Sequence, residues 1–439
     1  MASTYLQRTA GNSSNTTGTV SLWVKRSKLG VRQYILGNYN NAGNYGYFRF
    51  ESNDRLYHYS KWDTDMYIET TRQFKDLNAW YHIVLAIDST QSTASNRLKI
   101  YVNGVQETTL QGTDYGSQNT TNYLLQASAS NGHRIGSQST TSDHFDGLMS
   151  HFHFVDGTAY TPSTFGQTDA ITGEWSINNS PTVTYGSQGY FMLKNDNSLS
   201  DDSGNGNNFT LGGGTLNKTE DCPSNVFATL NPLVKDAGSV SYTSGNNKQF
   251  VDTAGWRSSF STLGASTGKY YYEVLKNAGT HTMVGIIGQE ETDGSRSGNG
   301  NNHVGQSPQG YALYNYDGYV KNNNNDVGSA IGTFADGDYI GIFMDLDNNK
   351  VYWSKNGTML NTTGVSITAG LTYMFGISGH TSARLSCNFG NGLFDNNQLT
   401  GTTYNGSDGN GIFKYNPNNI TLDGSSKSFK SLSTKGLNS

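Results

Sequence analysis

Trp80-Tyr81-His82-Ile83-Val84-Leu85-Ala86-Ile87-Asp88 leads on to Leu98-Lys99-Ile100-Tyr101-Val102-Asn103-Gly104. The first stretch is a nearly continuous apolar strand. In the second, Leu98, Ile100 and Val102 alternate with Lys99 and Tyr101, the period of a half-buried strand. That strand ends on Asn-Gly, a pair that tolerates positive φ and closes a tight hairpin. Upstream, Val20, Leu22 and Val24 face one way and Ser21, Trp23 and Lys25 the other. Downstream, Phe145-Asp146-Gly147 leads into a strand carrying Phe152 and Phe154 on one face, which leaves His151 and His153 on the opposite one.

The rhythm weakens from about Gly173 to Pro232, where Asp202-Ser203-Gly204-Asn205-Gly206-Asn207-Asn208 is turn chemistry and Gly212-Gly213-Gly214 a break. It resumes with Lys269-Tyr270-Tyr271-Tyr272-Glu273-Val274, Met283-Val284-Gly285-Ile286-Ile287-Gly288 and Tyr339-Ile340-Gly341-Ile342-Phe343-Met344-Asp345. Val351-Tyr352-Trp353-Ser354 then runs into a second Asn-Gly pair, Asn356-Gly357. Glu291 to Asn302 and Asn322 to Asp326 read as soft loops. The polar C-terminal stretch with Lys414, Lys427, Lys430 and Lys435 reads as a docking arm or a frayed tail.

Composition agrees with an all-β chain. Charged residues are 14%, below the ~25% typical of soluble domains, and polarity comes instead from Asn, Ser, Thr, Gly and Tyr. The 28 tyrosines and 53 glycines against 6 prolines describe many strands joined by many turns. The 12% of aromatic residues argues against disorder. A net charge of −5 without a Lys/Arg stripe leaves no nucleic-acid footprint. The chain has no apolar run long enough to span a bilayer and is expected to carry no secretory signal. Cys222 and Cys387 are too few for a disulfide framework.

Residues 18–165 resemble a laminin-G or concanavalin A-like lectin/glucanase domain. The resemblance lies in Ser21-Leu22-Trp23-Val24-Lys25, Trp80-Tyr81-His82-Ile83-Val84, Lys99-Ile100-Tyr101-Val102-Asn103-Gly104, Arg134-Ile135-Gly136 and Phe145-Asp146-Gly147. Asp202-Ser203-Gly204-Asn205-Gly206-Asn207 looks like the motif that normally opens such domains, but here it follows the domain, as a displaced strand or a remnant. Residues 264–391 resemble a SPRY domain through Gly268-Lys269-Tyr270-Tyr271-Tyr272-Glu273-Val274, Val284-Gly285-Ile286, the Gly337 to Asp345 strand, the Val351 to Gly357 hairpin and Cys387-Asn388-Phe389-Gly390. Both families are antiparallel β-sandwiches, of the jelly-roll kind. The expected division is a lectin-like domain at 1–172, a connector with one or two strands at 173–232, a SPRY domain at 233–395 and a C-terminal extension at 396–439.

Catalytic chemistry is hard to place. Glycoside hydrolysis needs two carboxylates in a fixed relation, and no Glu-x-Asp-x-x-Glu alternation occurs. Asp143/Asp146, Asp336/Asp338 and Asp345/Asp347 read as turns or strand junctions. Asp345-Leu346-Asp347-Asn348-Asn349 fails as a calcium loop, because Lys350 replaces the required Gly and Asn356 the bidentate Glu. No cofactor is implied, although the lectin resemblance leaves room for calcium in a rim loop whose ligands the sequence does not identify. His151-x-His153 lacks the further ligands zinc requires. Two surface histidines on the outer face of a sheet are the simpler reading, and an assembly interface is the alternative. No Ser-His-Asp or Gly-x-Ser-x-Gly elbow is present. Neither a catalytic residue nor a metal ligand is assigned.

Binding chemistry is easier to place. Exposed aromatic faces stack on sugar rings while nearby amides and carboxylates read hydroxyls. The candidates are Tyr57, Tyr59, Trp62 and Asp63 in the first half and Tyr314, Tyr316 and Tyr319 in the second. Trp80 and Trp353 read as structural. A lectin-like domain followed by SPRY on an Asn/Gly/Tyr-rich chain looks like a virion protein of tailed phages of marine bacteria. That resemblance implies a non-enzymatic tail fibre, spike or surface fibre located in the virion, a homo-oligomer that binds host-surface polysaccharide and other virion proteins. The rival is a decoration or connector protein, and the third reading a polysaccharide depolymerase.

Overall fold

The computed structural model describes residues 3–9, 14–62, 64–126, 132–138, 143–194, 196–235, 240–292 and 302–439. The chain divides into two compact units, Met1–Lys218 and Thr219–Ser439. Both are built from antiparallel sheets, and among the described residues no helix is long and apolar enough to cross a membrane.

In the first unit an eight-stranded sheet runs, edge to edge, through Leu110–Asp114, Asp65–Gln73, Arg55–Lys61, Asn44–Phe50, Gln33–Asn41, His133–Ile135, Tyr5–Arg8 and Thr210–Gly213. A six-stranded sheet runs through Tyr190–Met192, Gly147–Asp156, Thr17–Arg26, Tyr81–Asp88, Leu98–Val102 and Val105–Gln106. One core joins them. Val20, Leu22, Val24, Ile83, Leu85 and Ile87 from the six-stranded sheet pack with Phe48, Phe50, Leu56 and Ile68 from the eight-stranded one. Each such side chain contributes roughly 1.5–3 kcal/mol of burial. The expected hairpin at Asn103-Gly104 forms, with φ of 47° and 83°. A Cβ on Gly104 would sit 2.6 Å from the Trp175 ring, so that turn admits no side chain.

The turn-rich segment around Asp202 supplies a strand and is no remnant. The Asp201 carboxylate accepts the N–H groups of Phe191, Ser203 and Asn207 at 2.8–2.9 Å, which folds the loop. Thr210–Gly213 then pairs antiparallel with Tyr5–Arg8 at the edge of the large sheet.

The segment that follows the late strand covers the outer face of the six-stranded sheet, where Tyr160, Phe165, Val183 and Tyr185 pack on Val84 and Val155. This cover overturns the reading of His153 as a surface residue, while His151 is half-buried. His153 is 2% exposed, stacks on Phe191 at 4.0 Å and bonds the Tyr185 hydroxyl at 2.8 Å. A bulge between Ser150 and His153, with His151 at φ 48°, breaks the simple alternation. Burial pulls His151 down to about 4 and His153 well below its ordinary range.

In the second unit a seven-stranded sheet runs through Leu230–Lys235, Trp256–Ala265, Tyr373–His380, Thr282–Gly288, Gly310–Tyr314, Val320–Asn322 and Asn325–Val327. The other sheet is centred on Arg384–Asn388, Lys269–Ala278, Tyr339–Asp345 and Lys350–Lys355. Trp353 lies in the core between them, fully buried, its indole N–H donating to the Val284 carbonyl at 2.9 Å. Asn322 to Asp326 is a tight hairpin and no soft loop, because Asn323 and Asn324 take φ of 49° and 62° and close a two-residue turn. Most of the Glu291 to Asn302 stretch lies outside the described residues.

The C-terminal stretch is neither arm nor frayed tail. Phe413, Leu422 and Phe429 cover Tyr271, Phe343 and Tyr352 on the outer face of the second sheet. Lys430–Ser431 adds a short parallel pairing with Tyr270 and Tyr271. The buried Glu273 carboxylate accepts the backbone N–H groups of Lys414 at 3.0 Å and Tyr415 at 2.8 Å. A polar composition concealed three apolar anchors spaced along this strap.

Candidate functional site: a tyrosine face

Strand alternation builds the site. Along Arg55–Lys61, Leu56, His58 and Ser60 are buried while Tyr57 and Tyr59 point outward, half-exposed. The neighbouring strands do the same. Phe48 and Phe50 enter the core while Tyr45, Tyr47 and Arg49 take the opposite face, where Tyr47 and Arg49 are themselves covered, and Met66 and Ile68 enter while Tyr67 and Glu69 face out. Register then aligns the outward rings, for Tyr47 pairs with Tyr59, Tyr59 with Tyr67, and Tyr39 with Tyr45. Strands about 4.8 Å apart necessarily bring such rings into contact.

The result is a continuous face of seven tyrosines: Tyr34, Tyr39, Tyr45, Tyr47, Tyr57, Tyr59 and Tyr67. Tyr47 and Tyr59 stack at 5.6 Å, Tyr45 and Tyr59 at 5.6 Å, and Tyr59 and Tyr67 at 6.5 Å. The Arg49 guanidinium lies 4.0 Å from the Tyr47 ring centroid and donates to the Tyr34 hydroxyl at 2.6 Å. That cation is paired with Glu51, and Arg55 with Glu69 at 3.8 Å, so the face carries little net charge. Burial pushes the Tyr57 phenol up to about 12. Burial also raises Tyr47, and burial with a hydrogen bond to Asp65 raises Tyr59. The phenols therefore remain neutral and can both donate and accept. A flat, neutral array of rings edged by hydroxyls suits the faces and hydroxyls of sugars.

Of the residues singled out from the sequence, Tyr57 and Tyr59 sit at the centre of this face. Trp62 does not join it and stacks instead on the buried Tyr123 at 5.4 Å. Asp63 lies outside the described residues. The sequence reading missed Tyr34, Tyr39, Tyr45, Tyr47 and Tyr67, although Tyr45-Gly46-Tyr47-Phe48-Arg49-Phe50 shows the same alternation.

Tyr314 and Tyr316 meet in the second unit, 6.0 Å apart, beside Trp256 and three histidines. The Tyr314 hydroxyl bonds His281 Nδ1 at 2.6 Å, and Tyr316 is 65% exposed. Tyr319 makes no ring contact with these residues, but the Lys321 ammonium lies 5.4 Å from its centroid and 5.5 Å from that of Tyr314. Among the described residues no group of three or more His, Cys, Asp or Glu side chains could hold a metal ion.

Residues 1–164 match the model of the concanavalin A-like lectin/glucanases superfamily, and residues 269–392 match that of the SPRY domain. The chain thus carries a concanavalin A-like domain followed by a SPRY domain. Among solved structures it is similar to the SPRY domain of human HERC1, with 14% identity over 36% of this chain and 96% of that one at a TM-score of 0.30. It is also similar to the heptameric SAP-like pentraxin of Limulus polyphemus, with 18% identity over 44% and 89% at a TM-score of 0.29. No curated protein matches the chain.

Proposed function

We propose that the protein is a bacteriophage virion component, a tail fibre, spike or surface fibre, that engages host-surface glycan through the tyrosine face of its first unit. The observation that carries this reading is the array of seven contiguous tyrosine rings on one sheet, of which Tyr39, Tyr45, Tyr57, Tyr59 and Tyr67 keep exposed surface and Tyr34 and Tyr47 are buried beneath their neighbours. Concanavalin A-like and SPRY domains typically bind and do not catalyse, which fits a non-enzymatic role. Each sugar contact on so open a face is weak, and display of many copies on a particle multiplies it through avidity. Glycan-array binding with calcium present, together with host adsorption by a phage lacking the protein, tests the reading. Specific glycan binding and impaired adsorption are expected. An empty array with normal adsorption would sink it.

A second reading is a decoration or connector protein that binds other virion proteins. The half-exposed patch of Trp256, Tyr314, Tyr316 and His281 favours it, since aromatic residues with polar edges are enriched in protein interfaces. A particle map in which both aromatic faces are covered by neighbouring subunits would favour this reading over adhesion.

A further inference from the structure

Asp345 ends the Tyr339–Asp345 strand on the face that also carries Tyr271, Phe343 and Tyr352. Its side chain is fully buried. Lys427 reaches it from the C-terminal hairpin of Ile420–Leu422 and Ser425–Lys427, and its side chain is 7% exposed. Lys427 Nζ lies 2.8 Å from Asp345 Oδ2. Lys269 Nζ, on a side chain 26% exposed, also lies 3.8 Å from Asp345 Oδ1, and the other described lysine–aspartate pairs likewise leave at least one partner partly open, as Asp336 beside Lys276 at 57% and Asp395 beside Lys248 at 34%. Burying both charges of a pair is costly and often gains nothing over apolar packing. The pair therefore invites an explanation beyond stability.

Its surroundings resemble a reaction site. Asp423 Oδ2 lies 4.0 Å from Lys427 Nζ and accepts the Tyr352 hydroxyl. That hydroxyl lies 3.3 Å from the same Nζ. Asn348 donates to Asp345 Oδ1 from its backbone N–H at 3.1 Å and from Nδ2 at 3.0 Å, and Nδ2 also lies 2.9 Å from Oδ2. An amine, a carboxyl carbon, a proton carrier and donors for a developing oxyanion are thus held together on a rigid sheet beside a wall of aromatic rings.

We propose that Lys427 and Asp345 condense to an intramolecular isopeptide bond. Asp423 takes a proton from the Lys427 ammonium. The freed Nζ lone pair attacks Asp345 Cγ and a C–N bond forms. Asn348 holds the oxygen on which negative charge develops. One Cγ–O bond then breaks, and that oxygen leaves as water after collecting one proton from Asp423 and one from Nζ. One ammonium and one carboxylate become one amide and one water, with no oxidant, reductant or cofactor. Fixed proximity supplies the rate, and exclusion of bulk water opposes the reverse hydrolysis. The product ties the C-terminal strap covalently to the SPRY sheet and constrains the unfolded chain as a disulfide does. This inference does not rest on the glycan-binding reading.

Intact mass spectrometry of the full chain, denatured after incubation at neutral pH, tests it. The protein is expected to be lighter than its sequence by one water, and digestion is expected to yield a branched peptide joining Asp345 to Lys427. Lys427→Arg and Asp423→Asn are expected to show the full mass of their sequences. A wild-type chain of full mass would overturn the proposal. So would a water loss that persists in Lys427→Arg, which would place the dehydration elsewhere, and a persistent loss in Asp423→Asn would refute the proton route.

Discussion

The indole N–H of Trp175 donates to His82 Nδ1 across 2.9 Å, and His82 Nε2 lies 2.9 Å from the Ser21 hydroxyl. An indole nitrogen can only donate, so Nδ1 must be the unprotonated nitrogen and Nε2–H bonds the serine. His82 also stacks on the Trp23 ring at 5.1 Å. A second proton on this imidazole would have to displace the Trp175 N–H, and burial pulls His82 down to about 3.

That geometry predicts acid sensitivity. His82 in the folded chain takes a proton only near pH 3, whereas in the unfolded chain it does so near its ordinary 6.5. His58 and His133, also buried, are pulled down to about 4. In the window between these values and 6.5 the unfolded chain binds more protons, so stability is full above about 6.5 and is lost as pH falls. Each group withdraws on the order of 3 kcal/mol across its window. Chemical unfolding followed by tryptophan fluorescence from pH 7 to 4.5 should show a falling midpoint. His82→Gln should flatten part of that slope, and an unchanged slope would contradict the assignment.

Glu273 predicts the opposite slope. Burial raises its carboxyl to about 7, against the lowering effect of the N–H groups of Lys414 and Tyr415 and of Asn388 and Tyr271. The folded chain holds this proton more tightly than the unfolded one. The contribution is therefore present below its ordinary 4.5 and is lost as pH rises through about 7. Glu273→Gln should abolish this dependence and cost about 1–3 kcal/mol, because an amide N–H₂ then faces donors. Hydrogen exchange at Lys414 and Tyr415 should quicken in the variant. Exchange unchanged from wild type would show that Glu273 does not hold the strap.

Trp353 carries a packing prediction. Trp353→Ala should cost about 3–5 kcal/mol, through the lost ring and the cavity it leaves. Trp353→Phe should cost less, as it keeps most of the volume. Urea unfolding of both variants compares the two costs, and equal costs would mean that packing volume contributes little.

The strands and both Asn-Gly hairpins were legible because they depend on local alternation and on residues tolerant of positive φ. Asn356 and Gly357 take φ of 50° and 83°, as Asn103 and Gly104 do in the first unit. Trp353 and Trp80 were legible as structural residues, at 0% and 8% exposure. What escaped depends on contacts distant in sequence. The burial of His153 comes from Tyr185 and Phe191, in a stretch whose own pattern is weak. The strap is held by Glu273, more than a hundred residues upstream. The tyrosine face was half legible, since Tyr57 and Tyr59 share a strand while Tyr47 and Tyr67 join them only through register.

The tyrosine face is tested most directly by titrating the full-length protein with the best ligand from a glycan array, alongside Tyr47→Ala, Tyr59→Ala and Tyr316→Ala. Tyr59 and Tyr316 keep exposed surface, so Tyr59→Ala and Tyr316→Ala should fold with near wild-type stability, whereas Tyr47, 8% exposed, should lose some stability on truncation. Loss of a stacking ring should weaken binding about tenfold or more for Tyr47→Ala and Tyr59→Ala, on the order of 1–2 kcal/mol each. Tyr316→Ala, in the other unit, should bind as wild type does. Unchanged affinity in both first-unit variants, or a loss confined to Tyr316→Ala, would contradict the assignment of glycan recognition to this face.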